Sequence, residues 1–277
     1  MSLLVKRGVS KVRYVIPDNT KYVPAGSTND VNLDHICSPL KVLKVLLWVA
    51  FSLLAAHVLL AELGSEVINL IPPTVENETY REFYYLIYKE FHLGFEFNIP
   101  TYFSVFLLAV ASYLLHVVHH TVARKTHYWN ILRFIFLFLM LDELLMIHEM
   151  FGGYIGNKLN NLLEEVPPFL SWAWMVPYTV LAIAAGGYFL RFTLKLPAKS
   201  RNLFFVSGAV YVFAALGLEF FEAHFDTLYG PENMMNKFLF PLEEVMEMVG
   251  VSIFIYALLD YLMRQGKKLR FSLSIQK

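Results

Sequence analysis

Cysteine is almost missing from this 277-residue chain: Cys37 stands alone, so no internal disulfide can staple the fold. Net charge is missing as well. Lys and Arg number 23, Asp and Glu number 23, and the zero balance gives a nucleic acid nothing to hold. Charged residues make up only 17% of the chain, and no clear repeat or low-complexity tract occurs. The first 40 residues lack the apolar stretch and cleavage site of a secretory signal. That polar segment is expected to be retained in the cytoplasm, where its basic residues could dock a protein partner or anionic lipid.

Apolar residues fill the space the charges leave. They make up 57% of the chain and raise its mean hydropathy to +0.49, against roughly 45–50% in soluble domains. They fall in runs of about 20 residues, the length a helix needs to cross about 30 Å of hydrocarbon. Six spans are expected: Val42 to Leu63, Ile99 to Val122, Trp129 to Phe151, Leu170 to Leu194, Leu203 to Phe221 and Pro241 to Met263. The fold class is therefore all-α, a polytopic membrane helix bundle of about six transmembrane helices with both termini cytoplasmic. Residues 1–41 form the basic N-terminal segment, 42–264 the transmembrane domain with a long outer loop at 65–97, and 265–277 the tail.

Lys and Arg set the orientation, because they concentrate on cytoplasmic loops. Lys6, Arg7, Lys11, Arg13, Lys41, Lys44, Arg124, Lys125, Arg191, Lys195, Lys199, Arg201, Arg264, Lys267 and Lys268 share one side. Of the acids, only Asp18, Asp30, Asp34 and Asp260 join them. The remaining acids lie outside or in the outer halves of spans. Some of these, such as Glu76, Glu78, Glu82 and Glu90, need only solvent.

Acids inside spans need more. The third span ends in LDELLMIHEM, with Asp142, Glu143, His148 and Glu149. On one continuous helix, residues seven apart nearly eclipse, so Asp142 and Glu149 would share a face. The fifth span contributes Glu219 and Glu222, with His224 at its boundary. The sixth contributes Glu243, Glu244 and Glu247. Glu96 precedes the second span, and His57 lies in the outer half of the first.

A carboxylate in hydrocarbon costs roughly 2.5–3.5 kcal/mol and faces the bundle interior. No Lys or Arg lies in the outer half of a span, and packed like charges cannot all stay ionised. A bound cation, shared protons or open water must compensate. With His148 present, the donor types suit one or two divalent metal ions, iron, manganese or zinc. The expected ligands are Asp142, His148, Glu149, Glu219, Glu222, Glu244 and Glu247. Glu143, Glu243, His224, Glu96 and His57 stand behind them. For residues near a span end, solvation at the helix terminus is the competing reading. His116, His119 and His120 sit beside Arg124 and Lys125 and read as an interfacial basic cluster.

LDELLMIHE, with FEFNIPTYFS before it and LEEVMEMVGVSIFIYALLDYL after it, resembles a group of bacterial six-span membrane proteins with no assigned activity. The resemblance covers the second to sixth spans and implies a bacterial cytoplasmic membrane. The Glu-x-x-His repeat of di-iron helix bundles is absent. Three functions fit this pattern: a metal-dependent enzyme acting on a lipid-like or quinone-like substrate, a proton or divalent-cation transporter, and an accessory subunit of a membrane complex. The apolar inner halves of the third, fifth and sixth spans count against a continuous path for ions.

Overall fold

The computed structural model describes residues 38–71, 75–122, 126–162, 167–168, 171–230 and 233–266. Most of the basic N-terminal segment, Cys37 and nearly all of the C-terminal tail lie outside these residues. Within them, every regular element is helical.

Helix α1 (Pro39–Ala56) starts with proline in its first turn and runs through a π turn (His57–Glu62) into α2 (Leu63–Asn69). Helix α3 (Val75–Phe91) follows. The 65–97 connection, expected as a loop, is thus largely helical. Its mixture of polar and aromatic residues kept it from reading as a span. It is tied down where helix ends leave carbonyls open. Arg81 Nη1 donates to the carbonyls of Ile68 (3.1 Å) and Ile71 (2.8 Å), and Tyr84 Oη donates to that of Leu60 (2.7 Å).

Helix α4 (Ile99–Thr121) begins at a sequence-encoded cap: Asn98 Oδ1 accepts the Thr101 N–H at 3.1 Å, and Pro100 fills the first turn. Helix α5 (His127–Leu145) returns along α4. Ser112 Oγ donates to the Arg133 carbonyl at 3.1 Å, and Arg133 Nη1 reaches His116 Nδ1 at 2.9 Å. Then come α6 (Ile147–Leu162), α7 (Met175–Leu194), α8 (Ala198–Val212), a second π turn (Phe213–Leu218), α9 (Glu219–Tyr229) and α10 (Met234–Arg264).

Among the described residues, five helical runs are long and apolar enough to cross a membrane: Pro39–Asn69, Ile99–Thr121, Met175–Leu194, Ala198–Tyr229 and Met234–Arg264. Helix α5 has 19 residues but carries Arg133, Asp142 and Glu143, and it packs most extensively along α4. The protein is an integral membrane helix bundle. Large apolar side chains cover its outside, with Trp48 76% and Ile183 72% exposed. Water would not tolerate such a continuous surface, whereas lipid does.

Helix α10 forms the centre, packed against α1, α4, α8 and α9. It starts before Pro241, contrary to the expected boundary. Asn233 Oδ1 caps it by accepting the Asn236 N–H at 2.8 Å, so the proline lies inside the helix. At the α8 crossing, a Cβ on Gly250 would sit 2.9 Å from the Tyr211 backbone nitrogen, so only glycine permits that approach. Aromatic rings fill one half of the bundle. Phe136 stacks on Phe254 (4.6 Å), Phe204 meets Phe254 edge-on (4.9 Å), and Trp129 meets Phe192 (4.8 Å) and Tyr261 (5.4 Å). Asp260 closes that end by accepting from Lys199 and Arg264, both at 2.7 Å.

Candidate metal centre

The third predicted span is not one continuous helix. Met146 adopts φ 53° and ψ 41°, a left-handed conformation that ends α5, and its N–H caps back to the Asp142 carbonyl. The expectation that Asp142 and Glu149 eclipse each other on one face is therefore corrected. The break turns α6 away and re-aims His148 and Glu149.

The turn gives the buried Asp142 side chain a different task. Its Oδ1 accepts the His148 backbone N–H at 2.9 Å and the Tyr178 hydroxyl at 2.8 Å. Its Oδ2 lies 3.5 Å from His148 Nδ1. A carboxylate beside Nδ1 favours the proton there and leaves the Nε2 lone pair for another partner. The imidazole is held sideways by Trp174, whose ring centroid is 4.9 Å away.

Glu96, His148 and Glu149 each offer a ligand atom, and those atoms all lie within 4.8 Å of one another. Glu149 is exposed and Glu96 half-buried, so the group sits at the rim of the bundle. Glu96 comes from the connection before α4, where Thr101 Oγ1 lies 3.5 Å from its Oε2. Burial pushes the Glu96 carboxyl above its usual range. The charges of Glu149 and Asp142 act in the same direction, and His148 and the Thr101 contact oppose them.

The other carboxylates lie within electrostatic reach of one another. Glu143 feels the charges of Glu96 and Asp142; Glu244 and Glu247 both feel Glu143 and Glu222; Glu219 and Glu243 feel Glu222 and Glu247. All but Glu222 keep some accessible surface. Glu222 is 1% exposed, and its Oε1 makes no hydrogen bond among the described residues. Among the described residues, ligand atoms converge within 4.8 Å in two groups only, and none of these six belongs to either.

The second group is His57, Glu62 and His92. His57 is thus separated from the acids with which the sequence grouped it. His224 enters neither group; its ring lies 5.6 Å from that of Phe225. His116, His119 and His120 also stay outside both groups, with His120 edge-on to the other two rings at 4.4 and 5.1 Å. Sequence reasoning missed Glu62, His92, Trp174 and Tyr178 as members of polar networks. The two aromatics looked like interfacial bulk, and nothing local marks Tyr178 as the partner of Asp142.

Residues 46–262 match a family described as a domain of unknown function, DUF8692. The chain belongs to the DUF8692 family. No curated protein and no solved structure matches it. The DUF8692 match runs from within α1 to near the end of α10. It includes every residue of the rim group, the interior carboxylates and the second group.

Proposed function

We propose that this DUF8692 protein is a membrane metalloprotein, with one divalent ion of iron, manganese or zinc held by Glu96, His148 and Glu149. One observation carries the reading. Asp142 Oδ2 lies against His148 Nδ1 and its Oδ1 accepts the His148 backbone N–H, while a ring nitrogen of the same imidazole lies within 4.8 Å of a carboxylate oxygen of both Glu96 and Glu149. This is how a carboxylate behind an imidazole prepares a metal ligand. When bound, such an ion supplies an activated water or dioxygen. Glu96 and Glu149 match its charge, and Asp142 and Trp174 hold the imidazole in place.

The substrate class follows from the rim position. Phe97 (54%), Met150 (74%) and Phe151 (55%) are exposed beside the group. A lipid-like or quinone-like molecule sliding in from the membrane would meet an apolar approach. The Lys and Arg distribution favours the outer face of a bacterial cytoplasmic membrane for this rim. The transporter reading is weaker, because stacked aromatic rings fill the other half of the bundle.

The test is elemental analysis of detergent-purified protein, prepared without added metal or chelator. Wild type and Glu90→Gln are expected to carry about one ion per chain. Glu96→Gln, His148→Ala and Glu149→Gln are expected to lose most of it, as ligand removal does. Equal loads in all five proteins, or none in wild type, would overturn the proposal.

A further inference from the structure

The second group looks like another metal site. His57, Glu62 and His92 place their ligand atoms within 4.8 Å, a two-histidine, one-glutamate set that zinc enzymes use. The backbone argues otherwise. The Leu93 N–H donates to His57 Nδ1 at 3.3 Å, and the Gly94 N–H donates to His92 Nδ1 at 3.1 Å. A neutral imidazole that accepts at Nδ1 carries its proton on Nε2. Both rings then present an N–H, not a lone pair, to what lies beyond. Beyond them is Glu62 Oε1, 3.9 Å from His57 Nε2 and 3.6 Å from His92 Nε2. A metal would need both Nε2 lone pairs and would put both protons on Nδ1, against two backbone donors.

The π turn makes the meeting possible. Residues five apart point about 140° apart on an α-helix. A π turn pairs i with i+5 and brings His57 and Glu62 to one side. The 1%-exposed His57 then meets His92 ring to ring, edge-on at 4.9 Å.

His92 opens the connection that carries Glu96. The His92 carbonyl accepts from Asn98 Nδ2 at 2.7 Å, and Asn98 caps α4. Glu96 therefore hangs between two anchors, the α4 cap on one side and the His57–Glu62–His92 group on the other. We infer that His57, Glu62 and His92 form a metal-free clasp in which two imidazole N–H groups face one carboxylate at 3.9 and 3.6 Å, contacts longer than hydrogen bonds that leave His57 Nε2 without a hydrogen-bond partner among the described residues, and that this clasp positions Glu96 for the rim centre. They are positioning residues. The effect on metal affinity rests on the metal reading above; the clasp itself does not.

Two readouts on the full-length protein test it. Hydrogen exchange at the amides of residues 93–98 should quicken severalfold in His57→Ala and in His92→Ala. It should stay near wild type in Glu62→Gln, whose amide oxygen can still face both N–H groups. Zinc titration should give one ion per chain in all four proteins, with affinity about 10–100-fold weaker in the two alanine variants, the usual cost of losing a supporting residue. Two ions in wild type, one of them lost in His57→Ala or Glu62→Gln, would make the group a second metal site and overturn the clasp. Unchanged exchange in His57→Ala would overturn it too. Altered exchange with no metal in wild type would leave the clasp standing and sink the metal reading alone.

Discussion

Asp142→Asn separates orientation from folding. The asparagine keeps the volume of the aspartate and one acceptor oxygen. Of the three contacts Asp142 makes, at 2.8, 2.9 and 3.5 Å, the first two fall on the one oxygen Oδ1, so the Tyr178 hydroxyl and the His148 backbone N–H can both still be met. The charge beside His148 Nδ1 is lost. One neutral buried hydrogen bond is worth about 1 kcal/mol, so the fold should survive. Removing the carboxylate behind a ligating imidazole costs about 10–100-fold in metal affinity, or about 1.4–2.7 kcal/mol. The assay is competition with a chromophoric chelator, with thermal unfolding of the metal-free protein measured alongside. The expected result is affinity reduced by that factor and a Tm shifted by only a few degrees. If Asp142→Asn bound metal as tightly as wild type while Glu149→Gln did not, Asp142 would not act through His148.

Other perturbations test other links. Gly250→Ala forces a Cβ against the Tyr211 backbone and should destabilise by about 1–3 kcal/mol, read as a lower Tm in detergent. Trp129→Ala empties the centre of the aromatic half and should cost about 3–5 kcal/mol, provided the cavity does not collapse. Asn98→Ala removes the α4 cap, costs about 1 kcal/mol, and should also weaken metal loading because Glu96 loses one anchor. Acidification should unload the rim centre, since its ligands bind metal only when deprotonated. Burial lifts Glu96, so unloading should begin at a higher pH than an ordinary carboxylate would need, and Glu96→Gln should flatten that part of a metal-affinity profile.

The sequence carried the spans and the gathering of acids because both depend on composition over many residues. Twenty apolar residues must cross lipid, and Glu219, Glu243 and Glu247 must face away from it. What it concealed depends on single backbone angles. Met146 takes a left-handed conformation that glycine or asparagine would have announced and methionine does not. That one residue decides whether Glu149 lies over Asp142 or beside Glu96. The π turn at His57–Glu62 is equally silent, because a 3.6-residue period assigns the two residues to different faces. The α4 start was the contrary case: the expected second span began at Ile99, where the helix begins. Glu96 was read as a minor candidate because its connection had no assigned shape. Arg81 and Tyr84 give it that shape by binding carbonyls no sequence pattern marks.

The central place of α10 has a consequence for how the bundle is made. This helix is synthesised after every helix it touches, including α1 near the other end of the chain. Until it arrives, the earlier helices enclose no interior, and the acids of α5 and α9 have nothing but each other and lipid to face. The contacts of α1, α4, α8 and α9 with their common axis can therefore form only once this last helix is made. A cut or stop before Met234 would remove the axis rather than an edge, and the remaining helices would be left as a substrate for membrane quality control.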